Sequence, residues 1–453
     1  MRALPVLVAA LLLSSAVGAA GGLAGGATER SASRPAAIDA PVVAQTDGNG
    51  TTLQQINVLD VPPESVERST VAEHYVDLGP AVGLSTNATT ARLRTLAMVE
   101  RVERADTTEL RRERLRTAIE ELEAAVDDLD RRQTAAVGAY SRDEITGQEL
   151  LVALVDISIT AQELNDRRSR LEELAADTSG FDIDRGRLAS IGNRLSAFEG
   201  PVRAHARSVL GGEAEPHRFY VATSAESVTV STIIGDTYYR EAYRGDLRNG
   251  AGDAIELEVA LDIVATSYPV IWNTTREQTQ VFGGGETYPV RIGHSRGDLT
   301  AFVDSNARVV YAEHQRRPLD TVVRDQRIER TAGSLRLVVN HTYPGGPVQI
   351  RVVDEATGDP VDAAVAVKAG PTPPESIGST GDDGTVWTLS PNRQYTVTAE
   401  ARGENVSAVV PPGVPPRVAV TPASGNASEN DGNATPTATA TPMDGAVADL
   451  YHP

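Results

Sequence analysis

Cysteine is absent from all 453 residues. That removes disulfides, zinc-thiolate centres, thiol nucleophiles and lipid attachment through an N-terminal cysteine. Lysine is almost absent too: of 42 basic residues only Lys368 is a lysine, and with 62 acids the formal net charge is −20. No basic run exceeds a few residues, so the basic face that phosphate binding needs is missing and no nucleic-acid partner is expected. Ala3 to Val17 is apolar but too short to span a bilayer comfortably, which with Gly18, Ala19 and Ala20 after it reads as a secretory signal, and Met443 to Pro453 cannot span one. The expectation is that the protein is released, or is held by partners, or that the deduced end of the chain is wrong.

What is present begins with a seam. Leu115, Ile119, Leu122, Val126, Leu129, Ala136 and Tyr140 alternate four and three residues apart, with Gln133 the one polar member. Leu150, Leu154, Ile157, Ala161, Leu164, Leu171 and Ala175 repeat the pattern, with Arg168 the exception. Two long helices, each with one narrow apolar stripe, follow from that spacing. Ser141 and Glu144 have capping-box spacing, which predicts a turn from Tyr140 to Thr146 and an antiparallel hairpin. A helix of 35 residues would reach about 50 Å. A further seam through Leu188, Ile191, Leu195, Phe198, Val202, His205 and Val209 is interrupted at Gly200-Pro201, where a break is expected. With a first helix over Ala88 to Arg104, these segments predict a bundle over 85–211, and its charged flanks, such as Arg111, Arg112, Glu120, Glu121, Asp127 and Asp128, read as a solvated face.

After Gly211-Gly212 the period changes from helical to alternating. Strands are expected at Phe219 to Thr223, Ser227 to Ile234, Thr237 to Tyr243, Thr287 to Ile292, Leu299 to Asp304 and Ala307 to Glu313, with a helix over Asp253 to Ser267. The overall expectation is a multidomain chain: an all-α antiparallel bundle or coiled-coil hairpin, then an α+β domain, then a β-sandwich, with disordered termini. The boundaries are 1–20 signal peptide, 21–52 linker, 53–84 short strand and connector, 85–211 bundle, 217–330 α+β domain, 335–420 sandwich and 421–453 Thr/Pro-rich tail.

Residues 253–316, a helix followed by strands whose last hairpin contains Val303-Asp304-Ser305-Asn306, resemble a PepSY-type module. Residues 335–420 carry Thr357-Gly358-Asp359-Pro360, Asp382-Asp383-Gly384 and the alternating strand from Tyr395, and resemble a carboxypeptidase-regulatory-like or bacterial Ig-like domain. That resemblance implies a β-sandwich without chemistry of its own. An acid excess in which arginine replaces lysine resembles haloarchaeal proteins, whose negative surfaces hold water in strong salt. The whole order of parts resembles haloarchaeal secreted or cell-surface proteins.

Export is supported independently by sequons. Of fourteen asparagines, seven begin Asn-x-Ser/Thr: Asn49, Asn87, Asn273, Asn340, Asn405, Asn426 and Asn433.

No reactive set stands out. Gly293-His294-Ser295-Arg296-Gly297 spells a hydrolase nucleophile elbow, with Asp304 and His314 following in triad order, but that chemistry needs a strand-to-helix turn and Asp298 to Asp304 alternates as a strand. A polar hairpin turn is expected there. His74, His205, His217, His294, His314, His341 and His452 show no metal spacing, and Gly283-Gly284-Gly285 lacks a phosphate-loop lysine. No catalytic, cofactor or metal residue is assigned. Calcium is the one ion that loop acids bring up, at Asp182, Asp184, Asp382 and Asp383, without the twelve-residue loop pattern. These readings converge on a non-enzymatic secreted or envelope-associated glycoprotein with a structural, spacing or adhesion role and unidentified envelope or extracellular protein partners, with self-association open. The alternative is a secreted hydrolase or an inhibitor-like regulator of a secreted peptidase.

Overall fold

The computed structural model describes residues 54–419 apart from 250–253, 276–278, 283 and 325. The expected signal peptide, linker and tail, together with Asn49, Asn426 and Asn433, lie outside the described residues.

Strand β1 (Arg68–His74) leads into five helices: α1 (Leu78–Glu103), α2 (Thr108–Ser141), α3 (Gly147–Ala176), α4 (Arg185–Ser196) and α5 (Pro201–Leu210). Each start has a local cause. Asp77, Thr107 and Asp184 accept from free backbone N–H groups of α1, α2 and α4, and Pro201 opens α5, where its missing N–H costs nothing. The capping box is not at Ser141 and Glu144. It is Thr146 with Glu149, which opens α3, while Ser141 is the last residue of α2 and donates to Thr223 Oγ1 at 2.8 Å and Ser224 O at 2.7 Å. Both pairs have the same spacing, and the one at the true helix start wins because only there are backbone donors free.

Strands β2 (His217–Thr223), β3 (Ser227–Ile234), β4 (Thr237–Arg244), β5 (Thr279–Val281), β6 (Thr287–His294), β7 (Gly297–Asp304) and β8 (Val309–Pro318) join β1 in one antiparallel sheet, ordered β1-β2-β3-β4-β8-β7-β6-β5. Helices α6 (Leu257–Ser267) and α7 (Pro269–Thr275) interrupt the strand sequence. The remaining strands are β9 (Gln326–Ala332), β10 (Leu335–His341), β11 (Pro347–Asp354), β12 (Ala364–Ala369), β13 (Glu375–Ser379), β14 (Thr385–Leu389), β15 (Tyr395–Ala401) and β16 (Glu404–Val410). They form two four-stranded sheets, β14-β11-β10-β9 and β13-β12-β15-β16. Their core alternates with period two, through Leu335, Leu337 and Val339 on one sheet and Tyr395, Val397 and Ala399 on the other.

This arrangement overturns the expected fold class. Among the described residues, seven helices and sixteen strands in three antiparallel sheets are present, and no self-contained helical hairpin or bundle precedes an α+β domain. The apolar seams close on the sheet: Leu122, Leu129, Leu154, Leu164, Leu195 and Val202 share one core with Phe219, Val221, Val228, Val230, Tyr243, Phe302 and Tyr311. Strand β1, which precedes the helices, is the edge of the same sheet. The opposite face is covered as well, by Ala260, Ile263 and Val264 of α6, Ile271 of α7, and Ile56 and Leu59 of an extended strap. A seam shows only that a partner exists, and here the partner is a sheet contributed mainly by later residues.

Strand β4 is the hub, because neighbouring residues point to opposite faces. Arg240 faces the strap and is wholly buried; its guanidinium donates to Leu59 O at 2.6 Å, Asp60 Oδ1 at 2.8 Å and Glu313 Oε1 at 2.9 Å. Leu59 N and Tyr268 Oη complete the set by donating to Glu313 Oε2 at 2.7 and 2.6 Å. Burial pushes the Asp60 and Glu313 carboxyls up, against the pull of Arg240. Glu241 faces the helices. Its Oε1 accepts from Val202 N at 2.5 Å and Arg203 N at 3.0 Å, and its Oε2 accepts from Arg203 Nε at 3.1 Å, so a sheet carboxylate caps α5 from inside the core. A Cβ at Gly200 would fall 2.0 Å from Glu241 Cδ, so this close approach requires glycine.

The sandwich is joined to the other face of the sheet. Gly345, at φ 74°, presents its carbonyl to Ser231 Oγ at 2.6 Å and Tyr238 Oη at 2.9 Å, and a Cβ there would meet Tyr220. Tyr220, Tyr238, Leu319 and Leu389 bury the joint. The first and last described segments meet as well: Val58 pairs with Arg417 as a parallel bridge, with Val58 N donating to Pro416 O at 2.9 Å and Val418 N to Val58 O at 3.0 Å.

Candidate functional site

The helix-facing side of β4 also forms the floor of an open cleft of about 790 Å³. Its walls are Glu123, Asp127 and Asp130 from α2, Arg187, Ser190 and Arg194 from α4, and Arg248, Gly285 and Glu286 from the loops at one end of the sheet. Helix period places the three α2 acids on one stripe beside the seam residues Leu122, Val126 and Leu129.

Asp130 is the centre. It accepts from Tyr243 Oη at 2.7 Å, pairs with the Arg248 guanidinium, and lies 3.1 Å from Arg194. Arg194 also reaches Asp127 at 2.6 Å and Glu286 at 3.6 Å. Burial opposes the Arg248 charge, but Tyr243, Tyr311 and Asp130 outweigh it and raise its pKa; its guanidinium sits 5.5 Å over the Tyr311 ring. Burial pushes the Tyr243 hydroxyl well above its usual range, which keeps it a donor. Ser190 Oγ accepts from Glu286 N at 3.3 Å. The cleft presents charges of both signs, and those on its walls are paired with one another.

Ser295 and Arg296 form the two-residue turn between β6 and β7, where His294 pairs with Gly297. Gly297 has φ 130°, and a Cβ there would sit 1.9 Å from Arg316 O. Asp304 is at the other end of β7, about 23 Å away at strand rise; its Oδ1 accepts from Asn306 N and Ala307 N. His314 lies opposite Thr300, packed on Phe302 at 5.0 Å. The three residues of the apparent triad are thus spread along a hairpin, and the strand-to-helix turn that a nucleophile elbow needs is replaced by a strand-to-strand turn.

His205 packs edge-on against His217 at 4.5 Å, with Phe219 at 5.9 Å, and burial lowers its pKa to about 4. Asp184 caps α4 and Asp383 accepts from Thr385 N at 2.9 Å. Among the described residues no group of three His, Cys, Asp or Glu is placed to hold a metal. Asn87, Asn273 and Asn405 are exposed, on α1, α7 and β16; Asn340 is half-buried and donates to Gln349 at 3.1 Å.

One acid between α4 and α5 titrates near neutrality. Burial, with Asp166 nearby, raises Glu199 to about 7. Its contribution to stability is fully present below the ordinary carboxyl range and is lost as pH rises through about 7. Glu199→Gln is therefore expected to stabilise the protein at pH 8 by on the order of 1 kcal/mol and to change nothing at pH 4, read by denaturant unfolding at both pH values.

Sequence reasoning missed the cleft and the Arg240 knot. The available signal was Tyr238-Tyr239-Arg240-Glu241-Ala242-Tyr243-Arg244, a strand pattern with opposite charges set side by side among aromatics. Among the described residues no helix is long and apolar enough to cross a membrane. Residues 1–215 match a domain of unknown function (DUF7096) and residues 219–323 match a family of unknown function (DUF7094). No curated protein and no solved structure matches the chain. The sandwich carries the informative likeness: residues 327–408 match an archaeal fibronectin-III type-like domain, so this part of the chain is similar to archaeal modules of the immunoglobulin-like kind.

Proposed function

We propose that the chain is a non-catalytic, glycosylated protein of an archaeal cell envelope or exterior, acting as a rigid spacer or adhesion unit. The observation that carries this reading is the joint at β4: helices, sheet, strap and sandwich are locked together by Glu241, Arg240 and Gly345. The first and last described segments are tied into the same body by the Val58–Arg417 bridge. Three exposed sequons, the acid excess with one lysine, and the archaeal fibronectin-III type-like match support an exported protein of a haloarchaeal cell. The fibronectin-type match supports a β-sandwich in this part of the chain, and the spacing or adhesion role is what the resemblances noted for 335–420 imply. The protein is expected in the envelope or medium fraction of native cells, with glycopeptides at Asn87, Asn273 and Asn405 by mass spectrometry. Unglycosylated protein confined to the cytoplasm would contradict this.

A second reading is a secreted hydrolase or a regulator that grips a secreted peptidase, and the cleft at Asp130 bears on the regulator alone. Co-purification of a peptidase, lost in Asp130→Ala, or fluorophosphonate labelling lost in Ser295→Ala, would replace the spacer reading.

A further inference from the structure

The outer face of α1 is unlike the rest of the surface. Six of the ten exposed large apolar side chains among the described residues, Tyr75, Val76, Leu78, Val82, Leu93 and Leu96, cluster on it and on the turn before it. Leu78 is 78% exposed, Val82 66%, Leu93 60% and Leu96 58%. The inner face is already used: Leu84, Met98 and Val102 lie in the helix–sheet core. From Leu78 to Ala97 there is no acid, although 62 in 453 residues leads one to expect about three in a run of that length. A protein whose solvation rests on carboxylates has here left a helix face both apolar and free of them.

The order of side chains indicates what covers it. Leu78, Val82, Thr86, Thr89, Leu93 and Leu96 fall on one stripe, spaced four, four, three, four and three. Reversed about the point between Asn87 and Ala88, the centre of the stripe reads onto itself: Val82 comes opposite the copy's Leu93 and Thr86 opposite its Thr89, while Leu78 comes opposite Ala97, next to Leu96. Self-complementarity of this kind is what a two-fold interface requires. Charge selects the same register. Antiparallel, Arg92 and Arg94 come opposite the uncharged stretch Ala81 to Gly83, whereas parallel pairing sets each arginine against itself. Asn87 is turned toward α3, donating to Asp156 Oδ1 at 2.8 Å, so a glycan there leaves the stripe open.

We propose that the outward face of α1 docks on the same face of a second copy of this chain, antiparallel, with Val82 against Leu93. The stripe is about 27 Å long, which places the interface at the small end of specific contacts. Strong salting-out conditions tighten it.

Sedimentation velocity on the full chain, in sulfate from low to high concentration, reads the outcome. A monomer–dimer equilibrium that shifts at least tenfold toward dimer with sulfate is expected. Leu93→Glu, on a fully folded chain by circular dichroism, abolishes the dimer, and Thr86→Leu tightens it tenfold or more. Because the chain has no cysteine, geometry is read by oxidation: Val82→Cys with Leu93→Cys gives a covalent dimer, while either alone does not. A chain that stays monomeric, a dimer indifferent to Leu93→Glu, or single-cysteine variants that cross-link as well as the double overturns the proposal. Flotation of the monomer with neutral lipid vesicles, lost in Leu93→Glu, also overturns it and makes the face a membrane contact.

Discussion

Arg240→Ala is expected to destabilise the protein by about 3–5 kcal/mol, because it leaves Asp60 and Glu313 buried without their cation. Two carboxylates whose pKa values burial already raises would then take up protons or draw in water, and Leu59 O would lose its donor. The strap from Ile56 to Val61 is held by this knot at its centre, so its amides are expected to lose protection from hydrogen exchange first. Arg240→Lys recovers only part of the loss. One ammonium on a flexible stem cannot reach Leu59 O, Asp60 and Glu313 with the fork that guanidinium offers. Denaturant midpoints of the three proteins, with unchanged slopes, check the order wild type, Lys, Ala.

Glu241→Ala is expected to cost a similar ~3–5 kcal/mol, on the other face of the same strand. It removes the acceptor for two N–H groups of α5 and leaves the Arg203 guanidinium, which is 2% exposed, without its carboxylate. Glu241→Gln keeps an acceptor but not the charge, and about 1–2 kcal/mol is expected. Gly200→Ala strikes the same contact from the helix side, since its Cβ meets Glu241 Cδ at 2.0 Å. Loss of helical signal at 222 nm and loss of tertiary signal are expected in one transition for all three variants.

Much of the local structure was legible in the sequence because its cause is local. The seams of α2 and α3 are written at helical period, the break at Gly200-Pro201 follows from proline, and the sandwich alternates with period two. Three features were not legible, each for a physical reason. Strand β1, Arg-Ser-Thr-Val-Ala-Glu-His, is a polar edge strand whose order comes from pairing with β2, about 150 residues later in sequence. The start of α1 was hidden because the apolar residues of its first turns, Leu78 and Val82, face outward and spoil the seam. The joining of helices to sheet was hidden because a stripe does not name its partner. Residues 217–244 nevertheless carried a hint, since Phe219 to Ala222 in β2 run apolar without alternation, as strands covered on both faces do.

The Arg240 knot was out of reach for another reason. Asp60 and Arg240 are 180 residues apart, and nothing in either neighbourhood specifies the other. Serine, aspartate and histidine in triad order were, in contrast, all too visible; order along the chain says nothing of the turn that must carry the serine. The same lesson applies to the two matched families. Their boundary, between 215 and 219, runs between the helices with β1 on one side and the other seven strands on the other, through a single hydrophobic core.

Native-state hydrogen exchange on Glu241→Ala tests the central claim, that helices and sheet are one cooperative body. Amides of α3 and α5 and of β2 to β4 are expected to lose protection together and by the same free energy. If protection falls in α5 and β4 while the α2 and α3 seams keep the wild-type value, the helices fold by themselves and the claim is wrong.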